Sequence, residues 1–371
     1  MRKLSFVVLG VFLLCGCAKE PVKIGVVVPL SGALSSYGDM CLKGIKLAAK
    51  QINENGGIKG RQVELIIEDT KENEDATRSA IEGFDKQGVV AVVGPLTTKA
   101  IVSIGEYADK MKLPVITPAA TGVRATKNRE WVWRVSFTDL SQGAKLADFT
   151  THQLKAKSVC ILLNPQDPYS VGLSESFETE FAGDSGKVLF RAIFNTGDTA
   201  FKEQLKVIKG YNPDCIFVPA FYREAGLIVR QARDMGIKQP FIGGDGWDSQ
   251  EFQKIIGDKR PGANYYSTHF FYNYGGAEVQ NFLQTYKTEY EEEPQTFSAL
   301  GYDALMVIQE CFRLTRRATR EEFKDKIKEV VISGATGSID FSKTHDPSRS
   351  LIILKFEPGT PIEVVKVTVT L

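Results

Sequence analysis

The chain has 371 residues, and a single hydrophobic core usually stops growing near about 250 to 300 residues, so we expect two lobes rather than one small domain. Its 43% hydrophobic and 25% charged residues are typical of a folded globular chain and exclude a disordered one. The 46 basic and 45 acidic residues nearly cancel, which argues against a broad nucleic-acid-binding surface.

The N-terminus carries the features of an export signal. Arg2 and Lys3 precede an apolar run over residues 4–14, which is too short to span a bilayer as a mature helix. The closing stretch Leu14-Cys15-Gly16-Cys17 resembles a bacterial lipobox, so residues 1–16 are interpreted as a lipoprotein signal peptide and Cys17 as the lipidated residue. Ordinary secretory cleavage near Ala18 is the alternative. The lipobox interpretation predicts a lipoprotein anchored to a membrane, in the periplasm or at the cell surface.

Export places the other cysteines in an oxidising compartment, where an even number permits disulfides. These cysteines are Cys41, Cys160, Cys215 and Cys311. Free thiols are favoured because Cys160 and Cys215 lie in strand-like runs, where a cysteine behaves as a small core residue. No cysteine spacing suits zinc and the three histidines form no closely spaced pair, so no metal and no cofactor is expected.

From residue 22 onward, short β-branched runs alternate with segments of helical period, which is typical of parallel βαβ units. The first strand is predicted over residues 23–28, and a helix with apolar positions from Cys41 to Ile52 should end at Asn55-Gly56-Gly57. Further strands are predicted over residues 63–67, 89–93 and 114–116, and then over 158–163, 188–194, 215–218 and 240–242. The pattern therefore predicts two successive α/β lobes.

Ligands of such sheets bind beyond the carboxyl ends of the strands, where the strand order reverses, and the first lobe carries hydroxyl groups there. Thr97 and Thr98 follow a Gly-Pro turn and open a helix, while Thr121 follows the next strand. Helix N-terminal amides with small hydroxyls form an anion site that suits a carboxylate. The alternative is that Thr97 or Thr98 only caps its helix.

The second lobe carries an acid at an equivalent place. Asp245 lies between Gly244 and Gly246 at a strand end. Asp248 with Glu251 three residues later predicts a capping box for the next helix, which leaves Asp245 without that role. A carboxylate in a water-poor cleft needs a partner, and a ligand ammonium is a natural one. The alternative is a turn aspartate that binds its own backbone.

Aromatic residues recur near the predicted strand ends. They are Tyr37, Tyr169, Tyr222, Trp247 and Phe297. Such side chains could wall a cleft with apolar area and polar edges, although ordinary core packing explains any one of them taken alone.

These residues belong to stretches that resemble the branched-chain amino-acid-binding proteins, the type I periplasmic substrate-binding proteins of ABC importers. The similar stretches are Lys23-Ile-Gly-Val-Val-Val-Pro-Leu-Ser-Gly32, the segment from Gly44 through Ile52-Asn-Glu-Asn-Gly-Gly-Ile-Lys-Gly60, Ile116-Thr-Pro-Ala-Ala-Thr121, Asp167-Pro-Tyr169 and Arg230-Gln-Ala-Arg233. The resemblance covers almost all of the chain after the leader.

The resemblance implies a role for each candidate residue. Thr98, Ala119 and Thr121 would hold the α-carboxylate and part of the α-ammonium, with Asp245 and Tyr222 approaching from the other lobe. Tyr37, Tyr169 and Phe297 would line the side-chain pocket, with Trp247 as a neighbour. Two departures stand out: the family commonly has Glu where Asp245 stands, and the early disulfide of some relatives has no matching pair here.

The resemblance also implies the architecture and the mechanism. Two doubly wound parallel-sheet lobes would be joined by a three-stranded hinge, with residues 17–139 plus 268–340 in the first lobe and 140–267 plus 341–371 in the second. An amino acid would be enclosed by hinge closure and presented to the membrane subunits of an ABC permease. Open alternatives are a sensor of the same fold and a non-aliphatic amino acid, amide or aromatic acid as ligand. An enzyme is not expected, because Gly-x-Ser-x-Gly and phosphate-loop or dinucleotide-loop motifs are missing from the sequence.

Overall fold

A computed structural model describes residues 19–368. Its strands are β1 Val22–Val28, β2 Val63–Asp69, β3 Ala91–Val93, β4 Val115–Thr117, β5 Val132–Arg134, β6 Ser158–Leu163, β7 Lys187–Ile193, β8 Cys215–Val218, β9 Phe241–Gly243, β10 Asn264–Thr268, β11 Val331–Gly334, β12 Gly337–Asp340, β13 Leu351–Phe356 and β14 Glu363–Thr368. Its α-helices are α1 Ser35–Glu54, α2 Glu74–Lys86, α3 Thr98–Met111, α4 Asp139–His152, α5 Pro168–Gly183, α6 Lys202–Tyr211, α7 Tyr222–Asp234, α8 Gln250–Ile256, α9 Ala277–Tyr290, α10 Thr296–Leu314 and α11 Arg320–Lys326.

The predicted leader and Cys17 lie outside the described residues. Within residues 19–368, no helix has the length and the apolar character that crossing a membrane requires.

The first lobe is built on a five-stranded sheet in the order β2-β1-β3-β4-β5, with every neighbouring pair parallel. The predicted strands β1 to β4 are present, and β5 adds a strand that the sequence pattern did not reveal. The order reverses between β1 and β3, which defines the crevice where a ligand is expected.

The second lobe repeats this arrangement in the run β7-β6-β8-β9-β10 of a seven-stranded sheet, so its switch point lies between β6 and β8. The sheet continues past β10 with β13 and β14, which pair antiparallel. The predicted class, two α/β lobes with parallel sheets, is therefore confirmed, and the second sheet carries an antiparallel extension.

The chain moves between the two sheets more than once. It leaves the first sheet after β5, completes most of the second sheet through β10, and enters it again at β13 after α9, α10 and the hairpin of β11 and β12. Helix α10 packs on α1 of the first lobe, where a side chain at Gly44 would collide with the carbonyl of Ser298. The exact lobe boundaries stay a prediction.

Helix α1 shows how the local pattern determines the packing. Cys41, Ile45 and Ile52 share one face and are fully or almost fully buried. The helix ends at Glu54, and Gly56 follows with a φ of 91°, a left-handed conformation that favours glycine. The predicted helix and its stop are confirmed.

The four cysteines within the described part of the chain, Cys41, Cys160, Cys215 and Cys311, are buried free thiols. Burial raises the pKa of Cys160 to about 11 and that of Cys215 to about 12, so both thiols stay protonated. The preference for free thiols is confirmed.

Candidate ligand-binding site

The carboxyl ends of the strands of the two sheets face one another across an interlobe cavity with about 310 Å³ of empty space. Its wall consists of Tyr37, Leu96, Thr97, Thr98, Ala119, Thr121, Tyr169, Phe221, Asp245, Gly246 and Phe297. Seven of the nine predicted ligand contacts are therefore gathered around one cavity, although they are scattered over both lobes in sequence.

On the first lobe, two adjacent threonines have different roles. Thr97 is the N-cap of α3, since its Oγ1 accepts a hydrogen bond of 3.3 Å from the N–H of Ala100. Thr98 begins the helix, and its Oγ1 accepts a hydrogen bond of 3.0 Å from the N–H of Gly122. Of the two threonines, Thr97 therefore takes the capping role, while Thr98 links the start of α3 to the turn after β4.

The turn after β4 is fixed by another threonine, Thr117. Thr117 Oγ1 donates to the carbonyl of Pro95 at 2.6 Å and accepts from the N–H of Ala120 at 3.2 Å. A side chain at Gly122 would collide with the methyl group of Thr98. These contacts hold Ala119 and Thr121 at the cavity beside the N-terminus of α3, whose partial positive charge favours an anion.

On the second lobe, Asp245 is held by three other residues. The hydroxyl of Tyr169 donates to its Oδ1 at 3.0 Å, and Tyr169 Oη accepts a hydrogen bond of 3.1 Å from the N–H of Gly246. The N–H of Asp245 donates to Gln142 Oε1 at 2.7 Å. His269 Nε2 lies 3.4 Å from Asp245 Oδ2. The carboxylate is thus oriented by partners distant in sequence, and not by the backbone of its own turn.

The predicted capping box after Asp245 is wrong. Ser249 is the N-cap of α8, with its Oγ accepting a hydrogen bond of 3.1 Å from the N–H of Glu251. The carboxyl of Asp248 is instead buried beside Thr268, whose hydroxyl donates to it. Burial raises the pKa of Asp248 to about 6, against the hydrogen bonds that lower it. Asp245 still lacks a capping role, but for a different reason.

Two predicted contacts do not line the cavity. The ring of Phe221, not that of Tyr222, borders it and stacks on Tyr169 with centroids 5.1 Å apart. Tyr222 points past the cavity, and its hydroxyl donates to the carbonyl of Ala33 at 2.5 Å. The side chain of Trp247 is fully buried in the second lobe, with its N–H donating to the carbonyl of Val218 at 3.0 Å. Both corrections follow from side-chain direction at a strand end, which the residue order alone does not reveal.

Tyr37 connects the lobes at the aromatic side of the cavity. Its ring stacks on Phe297 with centroids 4.1 Å apart. Its hydroxyl donates to the carbonyl of Gly246 and accepts from the N–H of Tyr222 at 3.2 Å. Since Tyr37 lies on α1 and its partners lie on the second lobe, these hydrogen bonds hold the two lobes together around the cavity.

Sequence reasoning missed three polar residues behind the cavity wall. Asp139 is only 1% exposed, and Gln142 Nε2 donates to its Oδ1 at 3.2 Å. Burial, followed by the charge of Asp245, raises the pKa of Asp139 well above its usual range. The ring of His269 stacks on Phe137 with centroids 3.6 Å apart, and burial lowers the pKa of His269. The only available signal for Asp139 was its place at a helix start, which many aspartates share.

A larger cleft lies outside this cavity and shares Leu96, Thr97 and Phe221 with it. It has about 1140 Å³ of empty space, which includes open solvent. Asp167, the N-cap of α5, lines it, and burial raises the pKa of Asp167 to about 6. Within residues 19–368, no group of three or more His, Cys, Asp or Glu residues could hold a metal ion.

Two α/β lobes of matching strand order, with a polar cavity between their switch points, define a two-lobed binding protein. The profile of the periplasmic binding protein family matches residues 21–361, and the chain belongs to that family. The family and the relatives below are binding proteins, in agreement with the expectation that the chain is not an enzyme.

Similar proteins cover nearly the whole chain. A crystal structure of the leucine-binding protein LivK from Thermotoga maritima is 33% identical, covers 93% of this chain and 98% of its own, and superposes with a TM-score of 0.88. The branched-chain amino acid binding protein LivJ from Streptococcus pneumoniae, in complex with isoleucine, is 32% identical, with coverages of 95% and 99% and a TM-score of 0.87. A Leu/Ile/Val-binding protein homolog from Brucella melitensis is 26% identical over 92% of this chain and 93% of its own.

Proposed function

We propose that the protein is an extracytoplasmic lipoprotein that captures an amino acid of the leucine, isoleucine and valine type between its lobes and delivers it to an ABC importer. One observation carries this proposal. In the cavity wall, the N-terminus of α3 on the first lobe, which suits an anion, lies opposite a single carboxylate, Asp245, on the second lobe. That arrangement matches the two charges of a zwitterion.

The polarity of the cavity wall supports one orientation of the ligand. The α-carboxylate would bind at the N-terminus of α3, near Thr98. The α-ammonium would lie between Thr121 and Asp245. Hydrogen bonds to charged groups contribute about 1.5 to 3 kcal/mol each, so a few of them account for the roughly −8 kcal/mol of a micromolar site.

The remaining wall supports an apolar side chain. Tyr37, Tyr169, Phe221 and Phe297 present their rings to the cavity, together with Leu96. Burial of a branched aliphatic group against these surfaces is favourable at about 25 cal/mol per Å² of apolar area. The named ligands of the similar proteins, leucine and isoleucine, have such side chains.

Anchoring and transport belong to the same proposal. Lipidation at Cys17 would hold the protein at the membrane that contains the permease. The three crossings between the lobes, near residues 139, 267 and 341, would act as the hinge. Closure would then present the ligand-loaded form to the importer.

Calorimetry with ligand analogues tests the two-ended recognition. L-leucine, L-isoleucine and L-valine should bind the purified mature chain with micromolar or better affinity. Leucinol, which lacks the carboxylate, and 4-methylpentanoate, which lacks the ammonium, should each bind at least a hundredfold more weakly. Equal binding of either analogue, or binding of none of the three amino acids, would contradict the proposal.

A pair of variants connects this result to the site. Asp245→Asn should lose much of the discrimination against 4-methylpentanoate, because the charge that selects the ammonium is gone. Asp258→Asn removes an exposed carboxylate and should leave the whole ligand series unchanged.

A further inference from the structure

Asp139 has an oxygen that the structure leaves without a partner. Its Oδ2 is buried and makes no hydrogen bond within the described chain, whereas its Oδ1 accepts from Gln142 Nε2 at 3.2 Å. Buried polar groups nearly always have partners, so an unpartnered carboxyl oxygen next to a proposed binding site requires an explanation.

Thr121 is the residue that connects Asp139 to the cavity. The N–H of Asp139 donates to the carbonyl of Thr121 at 2.8 Å, while Thr121 itself borders the cavity. The Thr121 hydroxyl is near enough to favour the charged form of Asp139, although no hydrogen bond of good geometry joins the two side chains. A threonine hydroxyl both donates and accepts, and its hydrogen rotates to suit its partners, so Thr121 can turn its hydrogen toward the carboxyl.

A bound ligand ammonium would determine the direction in which the Thr121 hydroxyl points. An ammonium is a donor only, so Thr121 Oγ1 must accept from it and is left to donate elsewhere. The unpartnered Oδ2 of Asp139 is the nearby acceptor. A donated hydrogen bond and a positive charge close by both favour a carboxylate over a carboxylic acid.

We propose that Asp139 is a second acid of the ammonium subsite, which acts through the Thr121 hydroxyl and gives up a proton to solvent when the ligand ammonium binds. This inference rests on the proposed function, because it requires a ligand with an ammonium group. Asp139 is a positioning residue in this scheme: Asp245 pairs with the ammonium, and Asp139 orients the threonine that accepts from it.

The charges around Asp139 agree with a protonated carboxyl before ligand binding. Asp245 after β9 and Asp167 at the start of α5 both raise the pKa of Asp139, and Arg134 of β5 lowers it, but burial is the largest influence and raises it. Tyr169 of α5 also interacts with Asp139 and stays protonated, because burial raises its own pKa well above the usual range. His269 after β10 contacts Asp245, with its Nε2 3.4 Å from Asp245 Oδ2.

Calorimetry in buffers of different ionisation enthalpy measures the proposed proton directly. Leucine binding near neutral pH should release up to one proton, and the affinity should rise with pH by up to tenfold per pH unit. Asp139→Asn should abolish both effects while leucine still binds. Proton release that persists in Asp139→Asn would overturn the inference, as would a wild-type protein that binds leucine without releasing a proton.

Three further variants test the route through Thr121 and guard against a folding defect. Thr121→Ser keeps the hydroxyl and should retain proton release, whereas Thr121→Val should lose it. Asp258→Asn removes an exposed carboxyl away from the cavity and should leave the release unchanged. Thermal unfolding confirms that each variant is folded. If leucine, isoleucine and valine all fail to bind the wild type, the proposed function itself fails. If they bind without releasing a proton, only the role of Asp139 fails.

Discussion

The two lobes have the same strand order and opposite chemistry at their switch points. In the first lobe the cavity wall presents threonine hydroxyls, backbone amides and a helix start, with no ionisable group other than the Tyr37 phenol. In the second lobe the same position in the topology carries Asp245, held by Tyr169 and Gln142. A repeated fold thus supplies two unlike halves of the cavity wall.

This difference gives the cavity a direction. A ligand with one negative and one positive end fits in one orientation, because turning it round would place its carboxylate against Asp245. A symmetric pair of half-sites would bind an anion or a cation but would not orient a zwitterion. The polarity therefore comes from the residues placed at the strand ends and not from the fold.

The largest expected effect comes from removing the only carboxylate in the wall. Asp245→Ala should weaken leucine binding by about 3 to 5 kcal/mol, more than a hundredfold in the dissociation constant, because the ammonium would be buried without its ionic partner. Isothermal titration calorimetry measures this loss, with Asp258→Asn as the control. Near wild-type affinity would remove Asp245 from the site and with it the contrast between the lobes.

A substitution in the first lobe should weaken leucine binding less than the loss of Asp245. Thr98→Val removes the acceptor for the N–H of Gly122 and leaves that buried donor unpaired, at a cost of about 1 to 3 kcal/mol. We expect both a lower melting temperature and weaker leucine binding, since the turn carries Thr121. Thr98→Ser keeps the acceptor and should stay near wild type. A loss of binding in Thr98→Ser with none in Thr98→Val would instead assign the role of Thr98 to its methyl group.

The sequence predicted the parts of this arrangement that depend on local pattern. Helix α1 shows a clear helical period and strand β1 is a largely β-branched run, and the turns around Thr98, Thr121 and Asp245 follow runs of buried residues. Because parallel strands present their carboxyl ends at one edge, those turns were expected to meet. The resemblance to a family added the pairing of the two lobes.

What the sequence could not show depends on side-chain direction and distant packing. At the end of β8, a displacement of one residue decides whether Phe221 or Tyr222 faces the cavity. Strand β5 consists of Val132-Trp-Arg134, and its arginine interrupts the apolar run that marks the equally short β3 and β4. Asp139 is unusual only because residues from both lobes surround it.

The contact between the lobes can be tested through Tyr37. Tyr37→Phe keeps the ring on Phe297 but removes the hydroxyl that joins Gly246 and Tyr222, and should weaken leucine binding by about 1 kcal/mol. The reason is a less stable closed form, so X-ray scattering should show a larger radius at subsaturating leucine. Tyr211→Phe, at a tyrosine that is 47% exposed, is the control. An unchanged affinity would mean that these hydrogen bonds do not favour closure.

The smallest expected effect concerns the pH dependence of stability, through His269. Burial lowers the pKa of His269 below its value of about 6.5 in an unfolded chain, so the folded protein keeps the imidazole neutral while the unfolded chain takes up a proton first. Stability should therefore be full above about pH 6.5 and fall as the pH drops through the lowered pKa of the folded state. The melting temperature of His269→Gln should fall less than that of the wild type between pH 7 and 5. His152→Gln, at a histidine exposed on α4, should follow the wild-type curve, and a wild-type slope in His269→Gln would show that the acid sensitivity arises elsewhere.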